Sequence, residues 1–313
     1  MITSGATTLR VIFWENRAPI LIVLLLVCGI EVSEHFRDFI NFERSVFSMA
    51  ALGLLTTALS IFLVFRVNEA YSRWWEARIL WGGVVNASRT LARQATTLLS
   101  KQRAESSVSD KELLAWKREL VYRHLAYINA LRMSLRREEH WQTLGLYLEE
   151  SELAKLNSQA NKPTQLLQTQ GRRLAELREA GVLDEFGHLM LDGTLTELCN
   201  LQGGCERIKN TVFPDRVAFF TKVIAWAMAV LIPVSVLEAD DRFDLLDFVV
   251  VPAMMLVFVV TERLGTDLKN PFENRPNDTP MSALCRSIEI DLRQQLGESE
   301  VPPPLSPRNG VLM

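Results

Sequence analysis

The chain of 313 residues is short of every pattern that usually carries chemistry. It has four cysteines, Cys28, Cys199, Cys205 and Cys285, and none forms a CxxC or a Cys/His metal spacing. That excludes a zinc module and a disulfide scaffold and leaves all four as packing residues. The four histidines, His35, His124, His140 and His188, lie far apart, and no HExxH occurs. His188 has Asp184, Glu185 and Asp192 at helical spacing. A metal site wants three or four ligands, so these residues read as a surface cluster. No GxGxxG, no P-loop and no GxSxG occurs, so there is no phosphate cradle and no nucleophile elbow. Without a nucleophile and base or a metal set, the chain does not read as an enzyme, and no cofactor is expected. A basic excess is also missing. Thirty-four Lys plus Arg against 37 Asp plus Glu leave a formal charge of −3. Such a balance releases no counterions from a phosphate backbone, so nucleic acid is not a partner.

Charge is absent in a more informative way between Phe47 and Phe65. That stretch is about as long as a bilayer-spanning helix requires. Three other apolar runs accompany it: Ala18 to Ile30, Val217 to Leu237 broken only by Lys222, and Leu245 to Thr261 broken by Asp247. The first has a basic flank, but Val27 is too large for a cleavage site, so it reads as retained. The intervening charges sort by side. Glu31, Glu34, Asp38 and Glu43 follow the first run; Glu238, Asp240, Asp241 and Asp244 follow the third. Arg10 and Arg17, Arg66, Arg73 and Arg78, Arg207, Lys209 and Arg216, and Arg263, Lys269 and Arg275 mark the other side. This is the positive-inside asymmetry. It predicts a multi-pass inner-membrane (plasma-membrane) protein with four membrane helices, at about 18–36, 47–67, 217–237 and 245–262, and both termini in the cytoplasm.

Between the two helical pairs, residues 68–216 read as a cytosolic helical region. Pro163 is its only proline before Pro214. Leu113, Leu114, Trp116, Leu120, Val121, Leu125, Ile128 and Leu131 recur at 3–4 spacing, the mark of an amphipathic helix. Asp110 is its expected N-cap, with Glu112 close behind. Residues 151–162 predict a helix ending in the polar turn QANKP, and Pro163 suits the first position of the next. Another helix is expected from Leu183 to Leu201, where Gly203 and Gly204 read as easing close packing. Residues 263–313 form a cytosolic tail with a helix near Leu284 to Leu296 and a loose proline-rich end. No strand-like alternation of useful length occurs. The fold class expected is an all-α membrane protein, a single domain over residues 1–313.

Within the second run, Thr57, Ile61 and Phe65 stand at i, i+4 and i+8 and share one helical face, which Asn68 and Ser72 continue. Two readings fit this spacing: packing within one protomer, or the wall of a pore gated by apolar rings. Four helices enclose little water, so a pore needs several copies around an axis. Just beyond, Arg73, Trp74, Trp75 and Glu76 fit an interfacial belt against membrane lipid.

The segment FRVNEAYSRWWEAR over residues 65–78 resembles the bestrophin family, in particular its bacterial branch. GGCERI at 203–208 and Asn270-Pro271-Phe272 stand where that family carries similar segments, and the likeness runs over about residues 10 to 290. The resemblance implies a homopentameric ion channel whose partners are its own copies, lipid and permeant inorganic ions. Four membrane helices and a cytosolic helical domain per protomer would surround a central pore. It further implies a neck at Thr57, Ile61 and Phe65, with Thr57 a departure, since the family usually has an apolar residue there. A lower cytosolic constriction is implied at Leu166, with Gln165 and Leu167 as neighbouring alternatives. Animal members follow NPF with an acidic Ca²⁺ cluster; here only Glu273 and Asp278 follow, around Arg275, so no metal site is expected. The family implies chloride or another anion. The acidic outer loops favour a monovalent cation such as sodium instead. A non-conducting membrane-anchored scaffold or sensor is the competing class.

Overall fold

The structure is a computed structural model. It describes residues 49–100, 108–211, 215–237 and 247–313, preceded by Trp14, Arg17, Ala18, residues 20–25, Cys28 and Gly29. The acidic loops expected at 31–44 and 238–244 lie outside the described residues. Among the described residues the chain is all-α; the only extended pairing is an isolated bridge between Arg308 and Val311. The helices are α1 (Met49–Leu98), α2 (Asp110–Arg136), a 3-10 turn (Trp141–Leu146), α3 (Glu150–Asn157), α4 (Lys162–Glu179), α5 (Glu185–Asn210), α6 (Asp215–Leu237), α7 (Asp247–Leu268) and α8 (Met281–Gln295). They fall into two compact units, one of residues 2–74 and 212–270 and one of residues 75–211 and 271–313.

The 50-residue α1 contributes its first half to one unit and its second half to the other. It runs on past position 67, where the expected membrane helix ends. Nothing in 66–98 stops a helix: proline is absent, and each turn supplies good helix formers. Its hydroxyls bond back one turn, as Ser72 Oγ does to Asn68 O (2.9 Å) and Thr97 Oγ1 to Arg93 O (2.7 Å). Hydroxyls that would otherwise compete with the backbone are satisfied in this way.

In the unit of residues 2–74 and 212–270, a narrow stripe of α1 packs on α6 and α7. Leu59 and Leu63 are buried with Ala225, Met228 and Phe258. A second cluster joins Val23 to Ala229, Met255 and Val259.

The other unit has a larger core, drawn from α1 (Trp81, Val84, Leu91), α2 (Leu125, Ile128, Leu131), α4 (Leu166, Leu174), α5 (Leu191, Leu198) and α8 (Ile288, Leu292). Local signals set the helix ends. The N-cap of α2 is Ser109 rather than Asp110: the Ser109 side chain accepts from Glu112 N–H, and Glu112 reaches back to Ser109 N–H at 2.9 Å. A capping box needs an acid three residues after the cap, and that spacing selects Ser109. Asn161 caps α4 by accepting from Thr164 N–H, with Pro163 in the first turn. Where α1 meets α5, Gly83 lies under the Leu201 methyls and Gly204 under those of Leu80. Each glycine is the recess for the other helix's leucine, so Gly204 eases packing as its position suggests. Cys205 and Cys285 are buried packing residues whose thiols are pushed up to about 12 by burial. Cys28 and Cys199 are exposed, so a packing role does not hold for them within the protomer.

His124 is fully enclosed in this core. The Ser88 hydroxyl donates to Val84 O (2.6 Å), so it accepts from His124 Nε2–H at 2.8 Å. Burial holds the imidazole down at about 3 from its ordinary 6.5. Above pH 6.5 the ring is neutral in both folded and unfolded chains and contributes no pH dependence. Below 6.5 the unfolded chain takes up a proton that the folded chain refuses, until about pH 3. This group alone should therefore lower stability by roughly 2 kcal/mol between pH 7 and pH 5. Thermal unfolding at the two pH values should show that slope in the wild type and a shallower one in His124→Asn.

The proline-rich end is docked, not loose. Ala283 N–H, in the uncapped first turn of α8, donates to Met313 O (2.8 Å). Arg293 donates to Glu300 O (2.8 Å) and Arg286 to Pro303 O (3.3 Å). Main-chain carbonyls hold the segment, and carbonyls leave no mark in a sequence.

Candidate functional site

One helix among the described residues, Gly53–Leu98, contains a window long and apolar enough to cross a membrane. Only 22% of that window is buried by the protomer. Up to Phe65, α1 is apolar on nearly every side. Leu54, Ile61, Phe62, Val64 and Phe65 are each at least half exposed. So large an uncovered apolar surface belongs against lipid or other protein.

Thr57, Ile61 and Phe65 are all exposed and in line, opposite the packed stripe of Leu59, Leu63, Arg66 and Ala70. Thr57 Oγ1 donates to Gly53 O at 2.8 Å. Its hydrogen is thereby engaged, and the oxygen it presents outward is an acceptor. Asn68 and Ser72 extend the exposed stripe.

Beside it lies a feature that the reading of the sequence passed over. Arg66, counted there only as a loop charge, is buried and bonds Glu262 Oε1 of α7 at 2.8 Å and Thr266 Oγ1 at 2.7 Å. Its position on the 59–63–66–70 stripe was the available signal, together with a lone acid directly after the apolar run of α7.

The residues of the RWWE segment separate. Tyr71 and Trp74 stack at 5.7 Å between ring centroids, Arg73 and Trp74 are half-buried, and Trp75 is half exposed. Glu76 pairs with Arg207, the arginine of GGCERI. Two residues on, Lys209 pairs with Glu273 at 2.7 Å, beside the fully buried Phe272 of the Asn-Pro-Phe segment. Three stretches distant in sequence thus meet through two ion pairs within one unit. Glu273 already holds Lys209, and Asp278 accepts from Arg275 N–H at 3.0 Å. Burial raises the Asp278 carboxyl despite that bond. No group of three metal-binding side chains is found among the described residues.

Leu166 faces inward within the protomer. It is 1% exposed, packed in the core, and Leu167 is buried too. Of the three candidate positions only Gln165 is exposed, because the first turns of α4 bury Pro163, Leu166, Leu167 and Gln170 on one face.

Comparison with known proteins agrees in kind. The Bestrophin_2 profile, described as bacterial/fungal bestrophin protein, matches residues 8–294. The chain is 31% identical over 256 residues to YneE of Salmonella typhi, named a voltage-dependent anion channel-forming protein, covering 82% of this chain and 79% of that one. It is 31% identical over 269 residues to mll4386 of Mesorhizobium japonicum, which bears the same description, covering 85% and 80%. Among solved structures it resembles a bacterial bestrophin homologue from Klebsiella pneumoniae, with a TM-score of 0.78, 26% identity and coverage of 90% and 98%.

Proposed function

The chain belongs to the bacterial and fungal bestrophin family, and from that membership we propose that it forms an anion channel in the cell membrane. The observation that carries this reading is the uncovered, charge-free stretch of α1 up to Phe65, with Thr57, Ile61 and Phe65 in line on one exposed face. Five copies around an axis would turn that line into three successive rings, and apolar rings of this kind gate by dewetting. Each protomer would cross the membrane four times, at about 18–36, 47–67, 217–237 and 245–262. The cytosolic region 68–216, the tail and both termini would lie on the basic side. A lower ring, in this reading, falls to Gln165. The relatives named as anion channel-forming proteins support the choice of permeant ion.

A cation-selective channel of the same architecture is the second reading, favoured by one observation. Thr57 gives its proton to the backbone, so a ring of these residues offers acceptor oxygens, which suit a cation. Purified protein in a planar bilayer under a salt gradient separates the two. The reversal potential should move toward that of the anion; movement toward the cation reverses the assignment. Protein that assembles as a ring yet passes no current would be a scaffold, and a solubilised protein of one copy would remove the ring itself.

A further inference from the structure

Between Leu54 and Phe65, hydrophobic burial does not choose which side of α1 faces inward. Leu54, Leu55, Ile61, Phe62, Val64 and Phe65 are exposed and apolar around most of the helix, and Leu59 and Leu63 are apolar on the packed side. Burial energy is non-directional, so turning the stretch of α1 from Leu54 to Phe65 by one residue would exchange one set of greasy side chains for another at little cost. One group breaks that equivalence. The Arg66 side chain is 4% exposed, bonded through Nη1 to Glu262 and through Nη2 to Thr266. Thr266 Oγ1 is itself 3.2 Å from Glu262 Oε1, so the three residues form a closed cluster. A buried guanidinium cannot leave such partners without a large desolvation penalty. On the same turn of α7, the position of a Gly265 Cβ lies 3.5 Å from Val67 Cγ2, so the two positions are in van der Waals contact beside the pair.

We propose that the Arg66–Glu262–Thr266 cluster sets the rotational phase of α1, and so selects Thr57, Ile61 and Phe65 as the face it leaves exposed. Arg66 and Glu262 are positioning residues here, since neither lies on that face. The part of this inference that concerns ion flow rests on the channel reading; the phase of the helix does not.

The geometry supplies a reporter independent of conduction. In full-length protein with Cys28→Ser and Cys199→Ser removing the exposed thiols, Val67→Cys and Gly265→Cys should join under copper–phenanthroline into an intramolecular disulfide. Adding Glu262→Gln should slow that closure about tenfold. Exchanging the charges, Arg66→Glu with Glu262→Arg, should restore it, and conductance should fall and recover in step. Closure at an unchanged rate in folded Glu262→Gln protein would overturn the proposal. Where Glu262→Gln does not fold, the exchanged pair decides: the wild-type rate supports the cluster's role, a slowed rate overturns it. Wild-type protein that carries no current, while closure still depends on Glu262, would remove the channel reading and leave the phase assignment standing.

Discussion

Phe65→Ala should raise single-channel conductance severalfold in a planar bilayer, with little loss of folded protein. Phe65 is the bulkiest of Thr57, Ile61 and Phe65, 65% uncovered in the protomer, so removing its ring empties no core. If five Phe65 side chains narrow the pore there, the cost of carrying a hydrated ion past them is mainly that of an apolar, poorly wetted constriction. Each 1.4 kcal/mol removed from that barrier is worth about tenfold in crossing rate, so even partial wetting has a large effect. Ile61→Ala should act in the same direction and more weakly, because less bulk is removed. Conductance equal to wild type in both variants would mean that this face does not line the path. The expected insensitivity of folding is part of the test: these side chains touch little within the protomer, whereas truncating Leu63 on the packed stripe should lower the unfolding temperature.

The helical character and the exposed stripe were legible because both depend on local spacing. Thr57, Ile61 and Phe65 share a face whatever surrounds them, and the apolar period of α2 needs no partner to be recognised. Features decided by tertiary contact were not legible. Ser109 and Asp110 are both good capping residues, and only the reciprocal bond with Glu112 separates them. Arg66 looks like one more flanking positive charge until α7 brings Glu262 to it, 196 residues away. The tail reads as loose from its prolines, yet backbone carbonyls with no sequence signature tie it to α8. The three segments that mark the family show the other side of this. Each is short, and ion pairs within or directly beside them bring them together, Glu76 to Arg207 and Lys209 to Glu273.

Position 166 is where local and tertiary signals part most sharply, and it yields the largest expected loss of stability. In the run Gln165-Leu166-Leu167, two adjacent leucines cannot both be assigned a side by spacing alone. Packing against α2 and α5 assigns it: Gln170 on the same face donates to Leu120 O at 2.8 Å and accepts from Arg123 at 3.3 Å, drawing that face inward. Leu166 follows it into the core, almost without exposure. Leu166→Ala should therefore destabilise the protein by about 2–5 kcal/mol, the range for a buried leucine whose cavity cannot fully collapse. Gln165→Ala, on the exposed side of the same turn, should stay within about 0.5 kcal/mol. The two variants part in function as well as in melting temperature. If a second constriction lies on this helix, Gln165→Ala should alter conductance or ion preference in protein of wild-type stability, while Leu166→Ala should reduce the amount of folded channel and leave the unitary conductance of the survivors unchanged. The reverse pattern, a stable Leu166→Ala with altered unitary current, would show that α4 turns its leucine to the axis when the copies assemble.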